Sequence, residues 1–170
     1  TALAGEDAYV SDFERFHFTR PYSVTYGGNR LNFGQRYEQI ASNIDDPRVA
    51  AGIPMTRDAL LNAQKTIAGW DGKLALFLIP TREEVYRPLT APLMGEDAVD
   101  ALGAPRRKML ELCEELELTC LDLLPILQAY AEQGEHLYYT DDMHLNPRGN
   151  AVVAGEIEGW LDRIGYIPGN

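Results

Sequence analysis

Two aspartates and a histidine, Asp141, Asp142 and His144, stand just ahead of the stretch "LNPRGNAVVAGEI" (Leu145–Ile157). Histidine is the side chain whose ordinary pKa lies nearest neutrality, so His144 is the best candidate for a general base. Such a base needs a carboxylate to fix its tautomer and to stabilise the imidazolium formed during turnover. Asp141 and Asp142, three and two residues earlier, are each able to turn back towards the ring in a tight loop. The plainer alternative is that the aspartates shape a turn and His144 is a surface residue. Two carboxylates and an imidazole also suit zinc or manganese. Yet His17 and His136 fall at no ligand spacing from the trio, and neither a metal nor a cofactor is expected.

The elements that must hold these residues alternate. Residues 1–55 are the least regular part, with Gly27-Gly28-Asn29 marking a turn between two short strand-like runs and "DDPRVAAGIP" (Asp45–Pro54) reading as a loop. Residues 56–170 are periodic and form the main unit. Thr56 is placed to cap a helix with Leu60, Ala63, Ile67 and Trp70 on one face, ended by Asp71-Gly72. "KLALFLIPT" (Lys73–Thr81) and "LTCLDLLP" (Leu118–Pro125) are continuous apolar runs of the kind found in strands buried on both faces. Between them a helix starts near Pro105, with Met109, Leu112, Cys113 and Leu116 at core spacing. Its early cluster Arg106, Arg107 and Lys108 reads as a solvated face. A short helix follows from Pro125, then an extended piece at His136–Tyr139. The last helix starts at Pro147 with Asn146 as its cap. Helix, strand, helix, strand, helix is the order of an α/β protein with a parallel sheet. In such sheets chemistry gathers in loops beyond the strands' carboxyl ends. "PTREEVY" (Pro80–Tyr86) and "TDDMH" (Thr140–His144) occupy loops of that kind.

Composition narrows the partners. The net charge of −11 repels nucleic acid and anionic membranes, so neither is expected. The longest apolar run, Leu74–Ile79, is too short to span a bilayer. Cys113 and Cys120 lie seven apart without a CxxC motif. They read as two small apolar core residues, with a disulfide as the alternative.

"DDMHLNPRGNAVVAGEI" resembles the last block of the SGNH/GDSL hydrolases, in which an aspartate, a histidine and an N-x-x-G helix entry close a catalytic triad. "FLIPTREEVY" (Phe77–Tyr86) and "CLDLLPILQAYAEQGEHLYYTDDMHLNPRGN" resemble one branch of it, the bacterial envelope-associated proteins related to alginate O-acetyltransferases. The likeness spans about Thr56–Ile164. It implies a flavodoxin-like SGNH fold, a cell-envelope or extracytoplasmic location, and a Ser–His–Asp attack on an acyl ester, with backbone amides and an asparagine stabilising the oxyanion. His144 maps to the general base. Its partner maps to Asp141 by the spacing of most members and to Asp142 by that of the exopolysaccharide branch, which the neighbouring residues favour. Thr81, Glu83, Tyr86 and Asn146 are the candidate substrate contacts.

The nucleophile is the departure. The chain has three serines, Ser11, Ser23 and Ser42, and none follows a strand as Gly-Asp-Ser. "GEDAYVSDF" (Gly5–Phe13) is a distant echo of the family's third block, with Glu6 where asparagine belongs. On that alignment the early strands are missing, and the Thr1 start fits a processed or cut chain. Two readings follow. In one, this is the C-terminal part of an esterase or O-acyltransferase acting on acyl esters, chiefly acetyl esters of carbohydrate. In the other, it is a non-catalytic carbohydrate-binding or assembly module on the same scaffold. An incomplete sheet would also leave an open edge, so self-association is expected.

Overall fold

A computed structural model describes residues 22–34 and 36–166 of the chain. The expected echo at Gly5–Phe13, with Ser11, lies outside the described residues, as does His17. A hairpin comes first: β1 (Tyr22–Tyr26) pairs antiparallel with β2 (Asn29–Phe33) around Gly27 and Gly28. Both glycines have positive φ, 55° and 78°, the geometry of a two-residue hairpin turn that side chains resist. The turn and the two runs expected there are therefore present. Leu31 and Phe33 are fully buried.

A short helix, α1 (Arg36–Ala41), leads into α2 (Pro47–Ala68). Helix α2 begins at Pro47, not at Thr56, and takes in most of the segment read as a loop. Asp46 is its cap, accepting from the Arg48 amide at 2.8 Å, and Pro47 fits the first turn because its missing N–H has no helical partner there. Pro54 sits inside the helix, and the Thr56 hydroxyl donates back to the Gly52 carbonyl at 2.9 Å instead of capping. No residue of α2 is buried, and Trp70, just past its end, is 76% exposed. The apolar face expected of this helix is thus only partly covered by the described residues, with Leu60, Ala63 and Ile67 half-buried and Trp70 exposed.

Strands β3 (Ala75–Leu78) and β4 (Thr119–Asp122) pair in parallel, with Ala75 opposite Thr119 and Leu78 opposite Asp122. The parallel arrangement follows from the alternation of elements. The expectation that both strands are buried on both faces needs correcting, since every residue of the pair is only partly buried. The reason is that no third strand joins them among the described residues. Between the strands run α3 (Arg82–Val85), α4 (Arg87–Met94), α5 (Glu96–Leu102) and α6 (Ala104–Glu115).

Cys113, in the last turn of α6, and Cys120, on β4, form a disulfide with their Cα atoms 6.3 Å apart. This overturns the reading of two unlinked core cysteines. The chain reverses at Glu117, which takes a positive φ of 51°, and so brings strand and helix within bridging reach.

Helix α7 (Leu124–Glu132) follows β4, and α8 (Pro147–Arg163) closes the described chain. The main buried cluster joins the hairpin, α3, α7 and the approach to α8 through Leu31, Phe33, Tyr86, Leu127, Leu137 and Tyr138. Tyr86 is its hub, with ring centroids 5.8 Å from Tyr26, 6.1 Å from Phe33 and 6.4 Å from Tyr138.

Candidate active site

The end of β3 leads directly into α3, which Thr81 opens. The Thr81 hydroxyl accepts from the Glu84 amide at 3.3 Å, and the Glu84 carboxylate accepts from the Thr81 amide at 3.1 Å. This reciprocal pair satisfies two amides that would otherwise lack partners. The other Glu84 oxygen lies 3.0 Å from Arg106, which also reaches Asp122 at 2.6 Å. Arg106 is therefore not part of a solvated basic face, since its side chain is only 11% exposed and ties α6 to α3 and β4. Lys108 pairs locally with Glu111, and Arg107 donates to the Asp100 carbonyl.

Pinning α3 pins Arg82. Its side chain is wholly buried, with the guanidinium carbon 5.3 Å above the Phe33 ring and Nη2 3.5 Å from Glu83. Nη1 donates to three carbonyls of one loop: Tyr139 at 3.3 Å, Thr140 at 3.3 Å and Asp142 at 2.9 Å. A buried cation is tolerable only with such partners.

That loop carries the aspartates and His144. It is closed by a bridge between Tyr138 and Leu145, and the Tyr139 amide donates to the His144 carbonyl at 3.1 Å. The Asn32 amide donates to the Thr140 carbonyl at 3.0 Å. With its carbonyls turned inward, the loop displays its side chains: His144 is 75% and Asp142 51% exposed.

The two aspartates part company here. Asp142 Oδ1 lies 2.5 Å from His144 Nδ1 and accepts from the His144 amide at 3.2 Å. Asp141 instead accepts a hydrogen bond from the Asn32 side-chain amide. Burial alone would raise the Asp142 carboxyl, but the hydrogen bonds from the His144 ring and backbone outweigh it and hold the group below its ordinary value. With Nδ1 engaged, Nε2 is the nitrogen left to take a proton.

The candidate substrate contacts lie deeper than the pair. Thr81 is occupied with capping, and Glu83 is fully buried and accepts from the Gly34 amide at 3.0 Å. The Tyr86 hydroxyl donates to the Glu135 carbonyl at 3.0 Å and accepts from the Leu137 amide at 2.9 Å. Burial pushes its phenol pKa up. Asn146 caps α8 as the sequence indicates, accepting from the Gly149 amide at 2.9 Å while its Nδ2 donates to the carbonyls of His136 and Tyr138. These bonds brace α3, the end of the hairpin, the segment leading into the loop and the start of α8.

Neither described serine is bonded to His144. Ser23 donates to Asn32 at 2.6 Å and accepts from Arg30, and Ser42 is buried in the turn after α1. Among the described residues no group of three or more histidine, cysteine or acidic side chains could hold a metal ion. Sequence reasoning missed Asn32 and Arg82. Arg82 had a signal, since it opens a run of three charged residues, Arg82-Glu83-Glu84, just after the apolar stretch Leu74–Ile79, whereas Asn32 had none.

A comparison with known families places residues 40–163 in the family described as the SGNH hydrolase-like domain of the acetyltransferase AlgX. The match covers most of the chain, which therefore belongs to that family of SGNH hydrolase-like domains. Comparison with curated proteins and with solved structures gives no match. The described residues contribute the parallel pair and its flanking helices to such a fold, without a closed sheet.

Proposed function

We propose that the chain supplies the acid–base half of an acyl-transfer site, acting on acyl esters of carbohydrate, acetyl esters foremost. The observation that carries the reading is the Asp142–His144 contact at 2.5 Å on an exposed loop in a chain of the SGNH hydrolase-like family. His144 Nε2 takes the proton of a serine hydroxyl as its oxygen attacks the ester carbonyl, and Asp142 stabilises the imidazolium. The same proton then passes to the departing sugar oxygen, leaving an acyl-serine. Water or an acceptor hydroxyl attacks that ester, giving hydrolysis or transfer by one chemistry. The serine comes from outside the described residues, on this polypeptide or on a partner.

An extracytoplasmic location belongs with this reading. The Cys113–Cys120 disulfide is at home in an oxidising compartment, and no described helix is long and apolar enough to cross a membrane.

The test is turnover of an aryl acetate and of an acetylated polysaccharide by the full-length protein. His144→Ala is expected to lower the rate by about a thousandfold or more, and Asp142→Asn by a similar order. An unchanged rate in His144→Ala would sink the proposal. A second reading, a carbohydrate-binding module without turnover, draws on the absence of any described serine bonded to His144. It predicts polysaccharide binding that His144→Ala leaves intact.

A further inference from the structure

An exposed ion pair is worth little by itself, because water screens it and two side chains must be held in one geometry. The Asp142–His144 contact is as exposed as such a pair and is ionic only when the imidazole is protonated. Its order has to be imposed by the backbone that carries it, and one buried atom touches that backbone three times: Nη1 of Arg82 donates to the carbonyls of Tyr139, Thr140 and Asp142. The shortest of these contacts, 2.9 Å, falls on the residue whose carboxylate meets the imidazole. The anchor is itself held by Glu83, by the Phe33 ring and by the Thr81–Glu84 cap of its helix. Arg82 Nε and Nη2 make no hydrogen bond among the described residues, so Nη1 is the one guanidinium nitrogen that hydrogen-bonds, and all its bonds go to the loop.

We propose that Arg82 is the positioning residue of the site, a buried cation that clamps the loop by its carbonyls so that Asp142 holds the proton on His144 Nδ1 and keeps Nε2 open. This rests on reading Asp142 and His144 as orienting carboxylate and base. Arg82 touches neither substrate nor imidazole. It sets which ring nitrogen carries the proton, a property that overall stability does not report.

The experiment is imidazole nitrogen NMR on the full chain at about pH 9, where ordinary histidines are neutral. The His144 signals are assigned by their loss in His144→Gln. In Arg82→Gln the ratio of Nδ1–H to Nε2–H tautomer is expected to fall roughly tenfold, as for one lost charge-assisted hydrogen bond, approaching the ratio in Asp142→Asn. Leu112→Ala, a truncation of a buried residue of α6 outside the main cluster, should lower the melting temperature and leave the ratio alone. If Arg82→Gln does not fold, Arg82→Lys keeps the buried charge but cannot span three carbonyls, and the ratio should fall several-fold. A wild-type ratio in the folded Arg82 variant, with Asp142→Asn shifted, overturns the clamp alone. A wild-type ratio in Asp142→Asn as well overturns the reading of the pair beneath it.

Discussion

Around Tyr86, six residues of the main cluster (Leu31, Phe33, Leu127, Leu137, Tyr138 and Tyr86 itself) are at most 2% exposed, and the buried tyrosine hydroxyls all find partners. Around the parallel pair β3–β4 the strands are no less apolar, yet none of their residues is buried among the described residues, and α2 buries none either. The candidate site rests on the first region. Its loop is tied to the hairpin through Asn32, to α3 through Arg82 and to the core through the Tyr138–Leu145 bridge. A site exposed to solvent is thus carried by the best-packed part of the protein, while the sheet expected to be the scaffold is the looser part. Where chemistry needs fixed geometry, rigidity has to lie beneath the reacting groups and need not extend to the whole domain.

Breaking this contrast should begin at Gly149. A Cβ there would sit 2.0 Å from the Leu137 carbonyl oxygen, a backbone atom that cannot step aside. Gly149→Ala is expected to cost about 3 kcal/mol or more, read by urea unfolding. Close behind, Leu127→Ala, fully buried, should cost about 3 kcal/mol. Phe77→Ala, in the half-buried β3 against Trp160, should cost about half as much. Equal losses would erase the contrast between the two regions. In the looser half, the covalent link carries part of the stability: Cys113→Ser with Cys120→Ser should cost about 2 kcal/mol, as expected for a short loop. A denaturation midpoint unmoved by reductant would speak against this.

The smallest effect is at the exposed edge. Because the Asp142 pKa is lowered in the folded protein, its contact with His144 is fully present above the ordinary carboxylate value of about 3.9. The contact is lost as pH falls through the lowered pKa. A carboxyl carbon NMR titration should show the Asp142 midpoint rising in His144→Ala, and a midpoint that stays put would mean the ring is not what holds it down.

Much of this organisation is written locally. Gly27-Gly28 announces the hairpin turn, and Asn146-Pro147 announces the start of α8, because each depends only on backbone preferences of adjacent residues. Asp46-Pro47 carried the same kind of signal for α2, hidden by Gly52 and Pro54, which ordinarily break helices. What could not be read is what distant chain decides. Spacing left Asp141 and Asp142 open as partners of His144; the structure separates them through Asn32, 109 residues from Asp141 along the chain. The disulfide depended on how tightly the chain turns at Glu117. The covering of β3 and β4 depended on strands that the described residues do not provide.

The clamp beneath the loop also sets a rule for how this protein can be altered. One nitrogen has to meet the carbonyls of Tyr139, Thr140 and Asp142 while Tyr138 and Leu145 stay paired, so the chain between those two residues behaves as a segment of fixed length. A single inserted glycine there would move the carbonyls past their donor and swing the imidazole away, whereas the hairpin tip at Gly28, where a Cβ would meet nothing within 4 Å, has room to grow. Tags, labels or grafted loops belong at that tip. The stretch from Tyr139 to His144 is fixed in length, and at Asp142 and His144 in side chain as well.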